Sequence, residues 1–447
     1  MIKKYSILFI LILGSVWFSA NGDDQKVTGW LNFTSSIPDI PAKKGISGSF
    51  IGVDNNVLIV AGGSYGDKPS GEGGEKIYRD SIYVCTKEGK DYRWQFAGKL
   101  PFPVANGASV ETGNGLLCLG GEDGNQRYGK VFSLRWDAGK QTIVISDDYP
   151  SLPEACSHLS ASVIGNTIYV NGGKVQIGET EAISSNFWKL DLGNRMDRGW
   201  EKLDPCPGGS RFGASLVKQS GGEYDCLFLF GGKSEEGYVP DAYLFDPKNE
   251  GRASQWRKLA DMPYPMPAAP ALAVGGSQIF VFGGSVDDDT GKIPEAGDEH
   301  RIANEILSYN TITNVWHQAG ELPRGVANTT AVLWEGQITI PGGELNPGVS
   351  SNGVITVSVN PASRKNFSVF DYIMLFGYLA LIAFLGYYFS SRNKSSKDFF
   401  LGGQKIPFWA AGLSMMAAQV SSIGFMAIPA KSFASNWSYF AGVLTWF

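Results

Sequence analysis

Six times along the chain a short apolar run ends in a pair of glycines: Gly62-Gly63, Gly120-Gly121, Gly172-Gly173, Gly231-Gly232, Gly283-Gly284 and Gly342-Gly343. The intervals alternate between about 52 and 59 residues. Self-similarity at such a period marks a stacked array of supersecondary units, each too small to bury its own apolar face. The pattern stops near residue 360, where membrane-type sequence begins.

Each unit reads as four short strands. Small apolar inner strands (Asn106 to Val110, Phe212 to Val217) precede hydrophobic second strands that end at the Gly pair, such as Val57 to Ala61 and Gln278 to Phe282. Aromatic third strands follow, with Tyr83, Trp188, Tyr243 and Tyr309, and then fourth strands holding Trp94, Trp200, Trp256 and Trp316. The tryptophans repeat in step with the unit, so the reading assigns them to packing between units. The last unit, 325–359, has three strands, whereas Thr28 to Phe33 is an orphan fourth strand with no unit of its own. Pairing the two closes the ring and removes both open edges, which closed β architectures avoid. The expected fold is an all-β propeller of six blades over residues 23–360, followed by α-helical transmembrane segments.

The formal net charge of −5 gives no reason to expect a nucleic acid partner. Five cysteines (Cys85, Cys118, Cys156, Cys206, Cys226) show no CxxC spacing; structural disulfides are one reading for an exported chain, and buried free thiols are the expected state for most of them. His158, His300 and His317 are too scattered for a metal-ligand motif, so no metal and no cofactor is expected in the propeller. Residues 1–22 carry Lys3 and Lys4, a short apolar core and small residues before Asp23, the pattern of a secretory signal, with an uncleaved anchor as the other reading.

The spacing of Gly pairs, Tyr and Trp resembles the kelch repeat family over residues 27–360. Within it, Gly343-Glu344-Leu345-Asn346-Pro347-Gly348 is similar to the segment of bacterial N-acetylneuraminate epimerases that carries their proposed catalytic glutamate. The long insert from Ser64 to Arg79 follows the first Gly pair, which resembles the cyclically permuted mutarotase group. The resemblance implies interconversion of sialic acid anomers, with Glu344 as proton shuttle. Opening and reclosing the sugar ring needs one carboxylate to carry protons, a donor opposite it, and a cation for the substrate carboxylate. The family's arginine, six residues after the glutamate, is Ser350 here. Repeat alignment offers substitutes: Arg211 and His158 share an offset at the start of inner strands, and Asn106 and Asn328 share the next. Glu122, Arg127, Arg79 and Arg301 are further candidates on loops after Gly pairs. A non-catalytic sugar-binding propeller and a protein-binding kelch module remain alternatives. The propeller is expected to be monomeric.

A polar linker, 361–369, leads to about 20 mostly apolar residues from Phe370 to Phe389, enough for one span. Arg392, Lys394 and Lys397 follow, so that end is expected in the cytoplasm, with the propeller in the periplasm and the chain in the inner membrane. A second apolar stretch, 406–429, holds Gln419, Ser421, Ser422 and Gly424 at its middle, where polar groups point to a transport pathway. The segment from Lys397 to Trp437 resembles sodium:solute symporters, and the sialic acid transporters among them. The resemblance implies that backbone carbonyls of Ala417 and Val420 bind a sodium ion (Na+) and that Gln419 and Ser421 face the sugar. The chain ends at Phe447 inside an expected third span, so residues 370–447 read as the start of an incomplete symporter.

Overall fold

The computed structural model describes residues 31–390, apart from 35, 67, 69–73, 179, 194–198, 250–253, 288–299 and 360–368. The signal segment 1–22, Trp30, most of the linker and the symporter residues Ala417, Gln419, Val420 and Ser421 lie outside these residues.

The β part consists of six four-stranded antiparallel sheets that follow one another along the chain, here numbered one to six. Sheet one runs Phe50–Asp54, Val57–Ala61, Ser81–Glu88 and Asp91–Lys99; sheet two spans Ala108–Ser146, three Ser160–Leu203, four Ser215–Lys258 and five Ala271–Glu321. Sheet six takes Val332–Trp334, Gln337–Pro341 and Val354–Val359 from the end of the domain and Leu31–Thr34 from its beginning. Leu31 pairs with Val359 and Thr34 with Thr356 in antiparallel register. This all-β arrangement is compatible with a six-bladed kelch propeller, and the orphan first strand closes the final sheet as the strand count predicts.

Sheets pack face to face through apolar residues. Phe50, Ile59 and Val84 of sheet one meet Leu116, Phe132 and Trp136 of sheet two. Phe230 of sheet four stands edge-on to Trp316 of sheet five, with ring centroids 4.9 Å apart. Each such side chain stabilises the fold by roughly 1.5–3 kcal/mol on burial. The repeating tryptophans tie one sheet to the one before. The indole nitrogens of Trp94, Trp200, Trp256 and Trp316 donate to carbonyls of Pro38, Pro150, Asp204 and Ala260, which lie just past the outer strand of the preceding sheet. All five cysteines are buried and unpaired.

The Gly pairs have a steric cause. The second glycine donates its N–H to a carbonyl in the segment leading into the next sheet: Gly63 to Val104, Gly121 to Cys156, Gly173 to Arg211, Gly284 to Val326 and Gly343 to Ile46. A Cβ on the first glycine would lie 2.3–2.5 Å from the same carbonyl at Gly62, Gly120, Gly172, Gly283 and Gly342. Both glycines of each pair also have positive φ. Any side chain there would strain the backbone and push neighbouring sheets apart.

Beyond the sheets, Val369–Ser390 forms a 22-residue helix that coincides with the first expected span. Its large apolar side chains, among them Met374, Phe376, Phe384 and Tyr387, are exposed. Among the described residues no helix is long and apolar enough to cross a membrane.

Candidate functional site

At the start of each inner strand one residue has a left-handed backbone: Gly48, Asn106, His158, Gly213, Ala268 and Asn328, with φ between 53° and 63°. These six form a closed ring of backbone hydrogen bonds. The N–H of Asn106 donates to Gly48, His158 to Asn106, Gly213 to His158, Ala268 to Gly213, Asn328 to Ala268 and Gly48 to Asn328, at 2.6–3.0 Å. The ring gathers one residue from every sheet. Asn and His tolerate this conformation better than most side chains, and Gly adopts it without strain.

A second set of equivalent positions follows the Gly pairs: Ser64, Glu122, Lys174, Lys233, Ser285 and Glu344. They are held to the segment that leads into their own sheet, Glu122 through reciprocal backbone bonds with Ala105 and Glu344 through the same with Ala327. The two glutamates thus occupy the same repeat position, in sheets two and six.

Side chains join them. Asn328 Nδ2 donates to Glu344 Oε1 at 2.9 Å and to Asn106 Oδ1 at 3.1 Å. Asn106 Nδ2 donates to Glu122 Oε1 at 2.8 Å. The other Glu122 oxygen accepts from Ser157 Oγ at 2.9 Å, and Ser157 Oγ lies 3.2 Å from His158 Nδ1. Arg127 Nε also donates to Ser157 Oγ. One continuous polar chain therefore runs Glu344–Asn328–Asn106–Glu122–Ser157–His158.

Burial works to raise the Glu122 pKa, but His158, the hydrogen bonds from Asn106 and Ser157, and Lys76 together hold it below its ordinary value. Burial pushes His158 down to about 4; Glu122 opposes this, and Lys76, Lys174 and Arg127 reinforce it. The imidazole is neutral at pH 7. Since the Ser157 hydroxyl gives its proton to Glu122, His158 carries its own proton on Nδ1, toward Ser157, and keeps Nε2 as an acceptor.

The structure brings together four of the five residues read from the sequence as the propeller's site: Glu344, Asn328, Asn106 and His158. It places Arg211 elsewhere. Arg211 is 1% exposed, and its guanidinium is bound by both oxygens of Asp241 and by the Gly231 carbonyl. Burial opposes its charge, but the Asp241 bond raises its pKa above the usual value. The repeat offset that paired Arg211 with His158 is wrong by two residues. Arg211 is equivalent to Cys156, the acceptor for Gly121, while His158 is equivalent to Asn106 and Asn328. Residues that tolerate positive φ, recurring as Gly48, Asn106, Gly213 and Asn328, are the sequence signal for the true register. Glu122, one of the further candidates, moves to the centre of the site, and Ser157 joins it unforeseen.

Ser350 pairs across a short hairpin with Glu344, so an arginine at that position would stand beside the glutamate. Its hydroxyl lies 3.0 Å from Ser47 Oγ. A cavity of about 210 Å³ is bounded by Glu344, Ser350, Ser47, Lys68, Lys76 and Gly348. A separate axial cavity of about 160 Å³ is lined by Asn106, His158, Asn328 and Thr329, among small residues. Among the described residues no cluster of metal-ligating side chains occurs.

No family model matches the chain. Over 257 residues it is 26% identical to N-acetylneuraminate epimerase of Brucella melitensis, covering 49% of this chain and 60% of that protein. Over about half its length, the chain is a homologue of the N-acetylneuraminate epimerases. A stretch of 77 residues is 48% identical to the sodium/sialic acid symporter SiaT of Proteus mirabilis, covering 17% of this chain and 16% of the symporter. The chain thus spans less than two thirds of either relative. The solved structure of YjhT matches 73% of this chain and 98% of its own length, at a TM-score of 0.56 and 17% identity, a likeness of fold.

Proposed function

We propose that the β domain interconverts the anomers of N-acetylneuraminate or a related 2-keto sugar acid. The carrying observation is the setting of Glu344. One carboxylate oxygen is held by Asn328, and the side chain borders a cavity shared with Ser350 and two lysines. A carboxylate held at one oxygen can use the other to take the proton from an anomeric hydroxyl and return it to the ring oxygen. Lys76 and Lys68 are the cations bordering that cavity, and they replace Arg211 as the groups to meet a substrate carboxylate.

Two stretches similar to proteins named for the same sugar support a joint role. In this reading the domain is exported, the helix Val369–Ser390 begins a membrane part, and that part belongs to a sodium-coupled sialic acid symporter. Tethering would raise the concentration of the converted sugar at the transporter. Serine at position 350 favours a second reading, a propeller that binds the sugar and delivers it unconverted. Proton NMR of α-N-acetylneuraminate added to the chain separates the two. Decay of the α signals faster than in buffer supports conversion; saturable binding with decay at the buffer rate supports delivery.

A further inference from the structure

In sheets two and six the residue after the Gly pair is a glutamate, and each glutamate closes a short hairpin. Glu344 pairs with Ser350, and Glu122 with Arg127. Equivalent positions therefore face different chemistry, a hydroxyl in one sheet and a guanidinium in the other. Beside the second hairpin lies a cleft of about 720 Å³, within the roughly 300–1,000 Å³ of small-molecule sites. It shares no lining residue with the Glu344 cavity or the axial cavity. Glu122, Asn125, Gln126, Arg127, Gln176 and Glu181 border it, and the rest of its lining is two glycines and an alanine. An apolar ligand has nothing there to bury itself against.

Charge narrows the ligand further. Arg127 is bound to Glu181, and its Nε lies 3.8 Å from Glu122; Lys174 Nζ holds the other Glu181 oxygen at 2.9 Å. Two carboxylates and two cations balance, so net charge draws in neither an anion nor a cation. The groups are also fixed before any ligand arrives. Arg127 donates from Nε to Ser157 and from Nη1 to Gln176 Oε1 at 2.8 Å. Gln176 Nε2 donates to the Gly178 carbonyl, and the backbone N–H groups of Asn125 and Gln126 both donate to Asp123 Oδ1. These groups are not exhausted. A guanidinium carries five N–H donors, of which Arg127 spends three. A carboxylate offers about four acceptor positions, of which Glu122 and Glu181 each spend two. Donors and acceptors both remain on side chains already held in place, and a hydroxyl group can use one of each.

We infer that this cleft binds a neutral saccharide, as a second sugar site that holds its ligand without converting it. The site needs no contact with Glu344 or His158 and stands apart from the mutarotase reading. Ligand hydroxyls donate to the spare lone pairs of Glu122 and Glu181 and accept from the spare N–H groups of Arg127. Each oxygen of the two carboxylates already accepts from a protein donor, which suits both to receive hydrogen bonds and neither to carry a proton.

The test uses the full chain and the methyl pyranosides of glucose, galactose and mannose, which are neutral and cannot open their rings. Saturation-transfer NMR should show saturable binding of at least one, undisturbed by an equal concentration of N-acetylneuraminate. Gln176 and Glu181 are exposed on the hairpin Lys174–Ile177 and Thr180–Ile183, so their removal spares the core. Gln176→Ala and Glu181→Ala should each weaken the binding on the order of tenfold, with the melting temperature nearly unchanged. Absence of saturable binding, displacement by N-acetylneuraminate, or native affinity in either variant overturns the inference. Those results leave Glu344 in its role, whereas a chain that converts no N-acetylneuraminate overturns the mutarotase reading and not this site.

Discussion

The amide nitrogen of Asn328 lies 3.1 Å from the Asn106 amide oxygen, and the contact passes over Gly48, whose backbone separates them in the ring. A Cβ on Gly48 would come within 2.3 Å of that same Asn106 oxygen. The bare glycine is what lets two sheets that are not neighbours share a hydrogen bond, and the bridge between Glu344 and Glu122 depends on it.

Gly48→Ala should therefore act twice. A left-handed alanine costs about 1–2 kcal/mol, and the displaced Asn106 amide releases its bonds to Asn328 and Glu122. The expected outcome is a melting temperature lower by several degrees together with slower anomer conversion, both measured on the same preparation. Conversion at the native rate would show that the bridge is not needed.

Glu344→Gln keeps shape and can still meet Asn328, but it cannot cycle a proton. Anomer conversion should fall by roughly two to four orders of magnitude, with sugar affinity by calorimetry little changed. Lys76→Ala should do the reverse, weakening affinity for the carboxylate sugar and sparing its neutral reduced analogue. Native conversion by the glutamine variant would remove Glu344 from the shuttle role.

Asp241→Asn tests the corrected role of Arg211. The Arg211 side chain is 1% exposed and that of Asp241 15%. Leaving a buried guanidinium without its counter-charge costs about 3–5 kcal/mol. Urea unfolding should show that loss, while sugar affinity measured below the transition stays native. Weaker binding without loss of stability would return Arg211 to the site.

His158 makes stability depend on pH. Its folded pKa of about 4 lies below its unfolded value of 6.5. Above pH 6.5 neither state binds the proton. Between 6.5 and 4 the unfolded chain binds it and the folded one does not, so stability falls as pH falls. The full loss is on the order of 3 kcal/mol at most. Glu122, with its lowered pKa, adds a further loss as pH drops through its folded value. Melting temperatures of the native chain should decline from pH 6.5 to 4, and His158→Asn should flatten that decline. A native profile level across this window would contradict the neutral imidazole.

The sheets were legible in the sequence because their cause is local. A Gly pair is forced wherever a carbonyl at the edge of the next sheet presses against the chain, and in sheets one, three, four and five a tryptophan in or beside the fourth strand reaches the sheet before it. Glu344, Asn106, Asn328 and His158 were legible as members of a motif or repeat. Their partners were not, because Asn328 and Asn106 are separated by 222 residues and meet only once the ring has formed. Arg211 misled for the opposite reason. A charge near the start of an inner strand looks functional, and nothing in its immediate neighbourhood announces Asp241, 30 residues on. The residues from 391 onward carry their own resemblance, and it lies outside the described structure.

The pairing of Leu31–Thr34 with Val354–Val359 also governs the order in which the chain can mature. Thr34 meets Thr356 across 322 positions of sequence, so during synthesis the first strand waits, edge exposed, until the last one has been made. Five sheets can assemble in succession as the chain emerges, but the sixth cannot. Until then the final Gly pair, Gly342-Gly343, and Glu344 after it lack the framework that aligns them. The helix Val369–Ser390 begins only ten residues beyond Val359. Completion of the ring and emergence of the helix are therefore nearly simultaneous events, and a chain halted before residue 354 would carry two sticky edges in search of partners.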